Sequence, residues 1–437
     1  MIEFWMMFAA ISLGLTGVIL VAFLLYHFKM RKRVSAYFHS KAILEWYHLI
    51  KKISWRDYFE TNLRAETGNT LERPFGTPLH YVAWDRVLFN PVYLSRIPLG
   101  LNEPVETEVI LGLQAKKPLH LKIPIIIAGM SYGGALSLQT KIALAKASTM
   151  AGTATNSGSG PFVAEERAAA AKYILQYSKG FWSKSETVLR QTDLIEVSLG
   201  HGAWGSAPVR IKGSKVTNGF ARRLDTIAGL DVIIEASLPE VDNQADWVTL
   251  IRSLKEITAG VPVAVKMGGT HNLEKELPLI LEGDVDVIVI DGAEGGSHSV
   301  PPILSDDTGL PTLPALCRSA RFLREHQLDG KISLVVGGGL YTPGDFLKCL
   351  ALGADAVVIG TVAALAVSHT QVLKSVPWEP PTGLIYYEGK AAQKFNPDLG
   401  AKHLNHYLQS CVSEMKQAAR TMGKRSLKEI NQSDLVT

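Results

Sequence analysis

The stretch SLVVGGGLYTPGDF, residues 333–346, has the pattern of one strand–turn–helix unit. An apolar run typical of a buried strand ends in Gly337, Gly338 and Gly339, and Pro343 then opens a helical segment. A tight turn needs one or two glycines, so three together indicate that something approaches the backbone closely. The stretch therefore predicts a strand, a ligand-binding turn and a helix in succession.

Similar apolar runs alternate with helical stretches between residues 120 and 370. This alternation predicts a parallel sheet with helices on both faces. The run at 231–238 is expected to lie outside the sheet, because Pro239 and polar residues follow it directly. The remaining eight runs fit a (β/α)8 barrel, or TIM barrel, and an open doubly wound sheet is the alternative. They are 123–129, 153–157, 172–178, 193–199, 261–267, 285–292, 332–338 and 355–360.

The composition excludes several classes of protein. The chain has 437 residues, of which 47% are hydrophobic and 20% charged, as expected for a globular protein with a substantial core. Its net charge of +4 is too small to predict nucleic-acid binding. Cys317, Cys349 and Cys411 lie far apart without CxxC spacing, so the sequence predicts neither a disulfide framework nor a metal site.

The two ends of the chain differ from its middle. Residues 4–28 contain no Asp, Glu, Lys or Arg, and a basic cluster follows them. This pattern predicts a transmembrane anchor and basic juxtamembrane segment over 1–33, at the inner membrane with the body in the cytoplasm. We expect an amphipathic and extended lead-in over 34–119 and the barrel over 120–370. A proline-rich segment and a helix that packs on the barrel are expected over 371–437.

Glycines cluster at the ends of the last three candidate strands of the barrel. The carboxyl ends of TIM-barrel strands carry the active site, and the loops after strands 7 and 8 commonly bind phosphate. Exposed backbone N–H groups beside a helix N-terminus form an anion site. The sequence therefore predicts a phosphate cradle built from Gly295, Gly296, Gly337, Gly338, Gly339, Gly360 and Thr361. Glu294, beside the first glycine pair, is predicted as a further cofactor-binding residue.

Three further features are predicted at the same end of the barrel. Lys266 lies in the apolar strand VAVKMGG, where an unpaired lysine is costly to bury, so we expect it to face an electron-rich ring or a substrate anion. Gln176 offers an amide to a ring edge. The small residues around Ser131, in AGMSYGG, let a flat cofactor lie against the backbone. The alternatives are a lysine that reaches solvent and a surface glutamine.

Several motifs occur together, in the order and approximate spacing of one family: AGMSYGGALS, TNSGSG, ILQYSKGFW, IEVSLGHGAWG, VAVKMGG, VIVIDGAEGGSHSVP and VVGGGLYTPGDF. From about residue 75 onward the chain resembles the FMN-binding synthase domain of the glutamate synthase large subunit. The resemblance implies a (β/α)8 barrel that carries FMN. It assigns the phosphate to the glycine cradle, and it assigns the rest of the flavin to Gly129, Met130, Ser131, Gln176 and Lys266. Lys266 and Gln176 are then the expected catalytic residues.

The sequence departs from this family at positions that bear on the reaction. Where the family has three cysteines for a [3Fe-4S] cluster, this chain has His369, Ser375 and Pro380. In the 2-oxoglutarate loop, His201 and Trp204 replace a glutamine and a lysine. A glutaminase domain and its cysteine nucleophile are also not expected. Electrons are therefore expected from a separate donor, namely ferredoxin, an NAD(P)H reductase or a quinone-linked protein.

Charged and titratable residues supply the candidates for substrate binding. Arg210 or Arg223 is expected to clamp a substrate carboxylate, alongside His201 and Trp204, because guanidinium suits that geometry. The alternative is a pair of solvated surface arginines. The candidate acids and bases are His201, His298 and Glu294.

Together these features predict a membrane-anchored, FMN-dependent oxidoreductase that converts 2-oxoglutarate to glutamate by reductive amination. Three alternatives stay open. The first is a flavin enzyme acting on a 2-hydroxy acid or an N-substituted amino acid. The second is an inosine-monophosphate-dehydrogenase-like barrel without flavin, which would need a cysteine in a strand-end loop. The third is a non-catalytic, membrane-tethered barrel.

Overall fold

The computed structural model describes residues 17, 20–33, 44, 47, 51–81, 84–376, 380 and 382–436. The chain divides into two compact units, one up to Leu71 and one from Glu72 onward. The predicted lead-in over 34–119 is therefore divided between them. In the first unit a helix spans Trp55–Thr67, and the Ser54 side chain caps it by accepting from the Asp57 N–H.

The predicted membrane anchor over residues 4–28 lies largely outside the described residues. In the part of this region that is described, residues 20–33 are helical and exposed. Among all the described residues, no helix combines the length and the apolar character that crossing a bilayer requires.

Eight parallel strands in the second unit form a nearly closed barrel. Numbered along the chain, the strands pair in the order 1-8-7-6-5-4-3-2. At the remaining seam, the Ile127 N–H donates to the Ala154 carbonyl at 3.1 Å. The predicted TIM-like barrel is confirmed, and the open doubly wound sheet is excluded. The strands are β1 Ile125–Ile127, β2 Thr155–Asn156, β3 Tyr173–Tyr177, β4 Leu194–Ser198, β5 Val263–Gly268, β6 Val287–Asp291, β7 Ser333–Gly337 and β8 Ala356–Ile359.

A helix follows each strand along the chain. Start and stop signals in the sequence fix several of them: Ser137 caps the first helix and Gly152, at φ +70°, ends it. The helices are α1 Leu138–Ala151, α2 Ala164–Ala169, α3 Glu186–Leu189, α4 Gln244–Ile257, α5 Leu273–Leu281, α6 Thr312–Glu325, α7 Pro343–Ala351 and α8 Thr361–Ser368.

The barrel interior is apolar at the end where the strands begin. Inward-facing residues such as Ile126, Ala264 and Val335 form one buried cluster with an antiparallel hairpin, Val109–Leu111 and Leu119–Leu121. This hairpin closes the amino-terminal end of the barrel. The carboxyl ends of the strands are left for polar groups, which form the site described below.

The run at 231–238 lies outside the barrel, as expected. Val232–Ile234 pairs antiparallel with Val209–Ile211 in an insertion between β4 and α4, which also contains the helix Asn218–Leu224. This insertion follows the carboxyl end of β4, so it belongs to the face of the barrel that carries the site.

A long helix, Pro397–Thr421, packs against α1, α7 and α8 on the outside of the barrel. It begins at Pro397 because the Asn396 side chain caps it by accepting from the Leu399 N–H. Its apolar face is buried in the main core through Leu404, Leu408 and other residues. The last strand, Leu435–Val436, pairs with Leu88–Phe89.

Candidate functional site

A row of buried polar side chains crosses the carboxyl ends of β2 to β6. Such groups are costly to bury unless they are paired, so a row of them in an apolar barrel indicates a site. Parallel register sets them side by side, as with Gln176 and Glu196. The row consists of Asn156, Gln176, Glu196, Lys266 and Asp291, and each residue is 2–8% exposed.

Lys266 and Asp291 form an ion pair on adjacent strands. Lys266 Nζ lies 3.3 Å from Asp291 Oδ2. Burial by itself would lower the pKa of Lys266, but the charges of Asp291 and Glu196 outweigh it and raise that pKa. Lys266 is thus held as a fixed positive charge at the mouth of the barrel. Lys266 is therefore buried and does not reach solvent.

Glu196 organises the other half of the row. Its Oε1 accepts from Gln176 Nε2 at 2.7 Å and from Asn156 Nδ2 at 2.9 Å. Asn156 Oδ1 in turn accepts from the Gly158 N–H at 2.9 Å. Because a carboxylate only accepts hydrogen bonds, Glu196 fixes which end of the Gln176 amide faces it. The Oε1 of Gln176 is therefore directed elsewhere.

A buried lysine, Lys141, holds the loops after β1 and β2 together through hydrogen bonds to their carbonyl groups. Lys141 on α1 donates to the carbonyls of Met130 at 2.7 Å, Asn156 at 3.0 Å and Ser157 at 3.1 Å. It also pairs with the buried Glu166 at 2.8 Å. Burial raises the pKa of Glu166 and the Lys141 charge opposes that shift. One ammonium thus fixes the backbone that was expected to lie against a flat cofactor.

The small residues of these two loops are required by their close approach. A Cβ added at Gly129 would lie 2.8 Å from Asn156 Oδ1, and one at Gly158 would lie 2.6 Å from the Ser131 nitrogen. Gly129, Met130 and Ser131 themselves are half-buried. The structure therefore places the three predicted flavin-lining residues in one closely packed turn at the end of β1.

The predicted phosphate cradle forms a corner between the ends of β6, β7 and β8. A Cβ added at Gly296 would lie 2.6 Å from Thr361 Oγ1, which shows how close these loops come. Among the residues that the structure describes, the N–H groups of Gly296, Gly338, Gly339 and Thr361 have no backbone acceptor. Unpaired donors beside the N-terminus of α8 fit an anion such as a phosphate.

The three glycines at the end of β7 also serve the packing of the chain itself. Gly338 and Gly339 have φ of +109° and +62°. A Cβ at Gly338 would lie 2.6 Å from Thr312 Oγ1, and a Cβ at Gly339 would lie 2.6 Å from the Cβ of Glu294. The close approach that the sequence indicated is therefore made in part by the chain's own loop after β6.

The Glu294 carboxylate is held by hydrogen bonds at the N-terminus of α6. Its Oε2 accepts from the Thr312 N–H at 2.8 Å and from the Thr312 hydroxyl at 2.7 Å, so it caps α6. Sequence analysis placed Glu294 among the cofactor residues, and the structure gives it a helix-capping role beside the cradle.

His201 and Trp204 lie in a turn after β4 that packs on the loop after β6. Trp204 Nε1 donates to Ser297 Oγ at 2.7 Å, which joins the two loops. Burial lowers the pKa of His201 to about 4, and Lys266 adds to this effect. His201 is therefore neutral at physiological pH and lies within the electrostatic reach of the buried ion pair.

The two predicted substrate arginines, and His298 as a candidate acid or base, already have partners within the chain. Arg210 is mostly exposed and lies 3.6 Å from Asp231 in the inserted hairpin. Arg223 binds Glu165 through two contacts, at 2.8 and 3.3 Å. The His298 ring lies against the Tyr386 ring in a tilted arrangement with centroids 4.6 Å apart, and burial lowers the pKa of His298. The structure thus does not bring these three into the polar row.

Sequence reasoning missed three members of the row, Asn156, Glu196 and Asp291. Each had a signal, since a polar residue in or directly after a buried strand needs a partner. That partner lies on the next strand, which a single run of sequence does not show.

No group of three or more His, Cys, Asp or Glu residues within the described part of the chain is arranged to hold a metal ion. At the positions of the family's cluster cysteines, His369 stacks edge-on against His403 and Ser375 is buried.

Comparison with known proteins identifies the family. A family described as a conserved region in glutamate synthase matches residues 92–425. The chain belongs to the glutamate synthase family. It is 33% identical over 406 residues to a glutamate synthase large subunit-like protein of Rhizobium meliloti, covering 88% of this chain and 91% of that protein. It is 28% identical to an archaeal-type glutamate synthase [NADPH] of Thermotoga maritima, covering 84% of this chain and 76% of that protein.

Membership in the glutamate synthase family confirms the prediction of an enzyme, an oxidoreductase. The fold is also similar to that of a soluble mutant of the membrane-associated (S)-mandelate dehydrogenase from Pseudomonas putida. That likeness has a TM-score of 0.54 at 14% identity and covers 81% of this chain and 88% of that one. At this level of identity it supports the barrel fold alone.

Proposed function

We propose that this chain is an FMN-dependent oxidoreductase of the glutamate synthase type that reductively aminates a 2-oxo acid. The expected reaction converts 2-oxoglutarate and ammonia to glutamate. The observation that carries the proposal is a juxtaposition at one end of the barrel. There the row of buried polar side chains lies beside a cradle of backbone N–H groups that have no backbone acceptor among the described residues. Family membership supports the same reaction class.

FMN is the cofactor that these residues suit. The N–H groups of Gly296, Gly338, Gly339 and Thr361 would hold its phosphate, and the turn at Gly129–Ser131 would lie against its ring. When bound, FMN supplies hydride transfer, which is the chemistry needed to reduce an imine formed from a 2-oxo acid and ammonia.

Lys266 contributes a preorganised positive charge. Its ion pair with Asp291 fixes the position of the ammonium, and its raised pKa keeps it protonated at neutral pH. Such a charge stabilises negative charge that develops nearby without any reorganisation of the site. Gln176, oriented by Glu196, offers a hydrogen bond of fixed direction from the neighbouring strand.

The turn at His201–Gly205 covers the same mouth and would exclude water from it. Because its imidazole is neutral at pH 7, His201 is suited to donate or accept a hydrogen bond, and not to act as a fixed cation. Ammonia is expected as the nitrogen source. Electrons would come from a separate donor, namely ferredoxin, an NAD(P)H reductase or a quinone-linked protein.

The test is a reoxidation experiment on the FMN-loaded protein. Under anaerobic conditions the flavin is reduced, and its visible absorbance is followed after adding 2-oxoglutarate, ammonia or both. The proposal predicts rapid reoxidation only with both. Reduction of the oxidised flavin by a 2-hydroxy acid, with no reoxidation by 2-oxoglutarate and ammonia, would instead favour the alternative substrate class. No response to any of these would favour a non-catalytic barrel.

Attachment to the inner membrane, with the barrel in the cytoplasm, is a separate part of the proposal. It rests on the sequence of residues 4–28, which has no acidic or basic side chain other than His27. Alkaline carbonate extraction of membranes from cells that express the full chain tests it. The chain is expected to stay in the membrane pellet, and release into the supernatant would contradict attachment.

A further inference from the structure

Lys179 lies at the mouth of the barrel, two residues after the end of β3. It is 7% exposed. Its Nζ donates to the Ala236 carbonyl at 2.7 Å and lies 3.5 Å from the Ser206 carbonyl. Both carbonyls belong to the insertion that follows β4. The ammonium is therefore enclosed between the end of β3 and this insertion.

Lys179 differs from the other buried lysines in its partners. Four lysines are less than 9% exposed among the described residues, and three of them pair with a carboxylate. These pairs are Lys141 with Glu166 at 2.8 Å, Lys266 with Asp291 at 3.3 Å and Lys424 with Asp434 at 3.1 Å. Within the described part of the chain Lys179 has no such partner, and burial lowers its pKa.

The N–H groups of the Lys179 ammonium also have fewer good acceptors among the described residues than they can bind. An ammonium carries three N–H groups. One makes a good hydrogen bond to Ala236, and a second makes at most a long one to Ser206. Among the described residues, at least one N–H group of this buried cation has no acceptor and no carboxylate neutralises its charge. Burying a charge without a counter-charge and without full hydrogen bonding is unfavourable, unless a ligand supplies both.

The position of Lys179 indicates where that ligand would lie. Lys179 follows the carboxyl end of β3, which pairs with β4, and β4 pairs with β5. His201 is on the turn after β4 and Lys266 is at the end of β5. The free donor of Lys179 is thus at the same end of the barrel as the proposed chemistry, where TIM barrels bind their substrates.

We propose that Lys179 binds a carboxylate group of the organic-acid substrate. The carboxylate would supply the missing counterion and accept the unused N–H. This inference rests on the proposed function for the identity of the substrate, a 2-oxo acid. It replaces Arg210 and Arg223, which carry carboxylate partners of their own, as the carboxylate-binding residue.

The test compares an acid with its neutral ester on the FMN-loaded full chain. Binding of 2-oxoglutarate and of dimethyl 2-oxoglutarate is measured by calorimetry in the wild type and in Lys179→Met. A charge-assisted hydrogen bond to a buried carboxylate predicts that the variant binds the acid at least about tenfold more weakly. Ester and FMN affinities should be unchanged. Lys184→Met is the matched control, because Lys184 is a nearby lysine that already pairs with Glu240.

The outcomes separate this inference from the proposed function. Equal weakening of acid and ester binding would mean that Lys179 only supports the loop, and would overturn the inference. The same holds if the wild type binds no carboxylate among 2-oxoglutarate, pyruvate and 2-hydroxyglutarate. If it binds only pyruvate or 2-hydroxyglutarate and Lys179→Met loses that binding, the inference stands while the proposed substrate fails.

A second measurement needs no variant. The wild type is acetylated with an N-hydroxysuccinimide ester, and the modified lysines are quantified by mass spectrometry with and without 2-oxoglutarate. Protection of Lys179 with unchanged labelling of Lys184 supports the inference. Absence of protection at concentrations that saturate binding overturns it.

Discussion

The ammonium of Lys266 lies 3.3 Å from the Asp291 carboxylate, and the two residues are only 7% and 8% exposed. They sit on adjacent strands, at the end of the barrel where Glu196 holds two amides. A buried pair of this kind contributes little to stability beyond what apolar residues would, but breaking it leaves a charge without a partner. Its position beside the glycine cradle therefore indicates a functional role.

Replacing Lys266 by methionine should slow flavin reduction by roughly a hundredfold and lower the flavin midpoint potential, because the fixed positive charge is lost. Rapid-mixing kinetics and a redox titration measure both. Lys275→Met, on the exposed face of α5, is the matched control and should behave like the wild type. An unchanged potential in Lys266→Met would remove Lys266 from the proposed role.

Glu196→Ala should weaken FMN binding and destabilise the fold by about 2–4 kcal/mol, since the amides of Asn156 and Gln176 lose a charged acceptor. Glu196→Gln keeps one acceptor oxygen in place and should lose less. Urea denaturation and flavin fluorescence titration measure the two effects. If Ala and Gln variants behave alike, Glu196 does not act by holding these amides.

Gly338→Ala tests the close approach at the end of β7. Gly338 and Gly330 both have positive φ, but an added Cβ meets Thr312 and Gly292 only at Gly338. Gly330→Ala should cost about 1 kcal/mol in the free energy of unfolding, from backbone strain alone. Gly338→Ala should cost clearly more. Equal thermal unfolding temperatures for the two variants would contradict the packing described here.

Lys141→Met should destabilise the barrel by about 3–5 kcal/mol, because it leaves Glu166 buried without its cation and releases three carbonyls. The double variant Lys141→Met, Glu166→Gln removes the orphaned charge and should recover part of the loss. Chemical denaturation compares the two. A single variant as stable as the wild type would show that the ion pair does not fasten these loops.

His201 predicts a specific dependence of stability on pH. Its pKa falls from 6.5 to about 4 on folding, so the unfolded chain binds the additional proton between these values. His201 therefore contributes a loss of stability as the pH drops through this window. Denaturation midpoints at pH 7 and pH 5 should differ less in His201→Asn than in the wild type. The same difference in both proteins would contradict burial of a neutral His201.

Much of the fold could be predicted from the chain itself. Most of the buried parallel strands are continuous apolar runs and were recognisable as such, whereas β2 was recognisable only by its place in the alternation. Pro239 indicated that the ninth run lies outside the sheet. The strand that pairs with this run, Val209–Ile211, was not recognisable from the sequence. Both strands of that hairpin have only three residues and are only partly buried.

The site was harder to predict because its parts come from different strands. The glycines and Lys266 were conspicuous within their own runs. Glu196 and Asp291 could not be recognised from their own runs, because their partners lie on other strands of the sheet. Lys179 could be recognised only once the described fold showed no carboxylate beside it. The pairing of Arg223 with Glu165 likewise depends on residues far apart in sequence.

If this corner of the barrel holds FMN, the purified chain should retain flavin, and its flavin content can be measured. Protein purified in detergent, incubated with FMN and passed through gel filtration should retain about one FMN per chain, with flavin bands in its visible spectrum. A spectrum without these bands after reconstitution would contradict the binding of FMN at this corner.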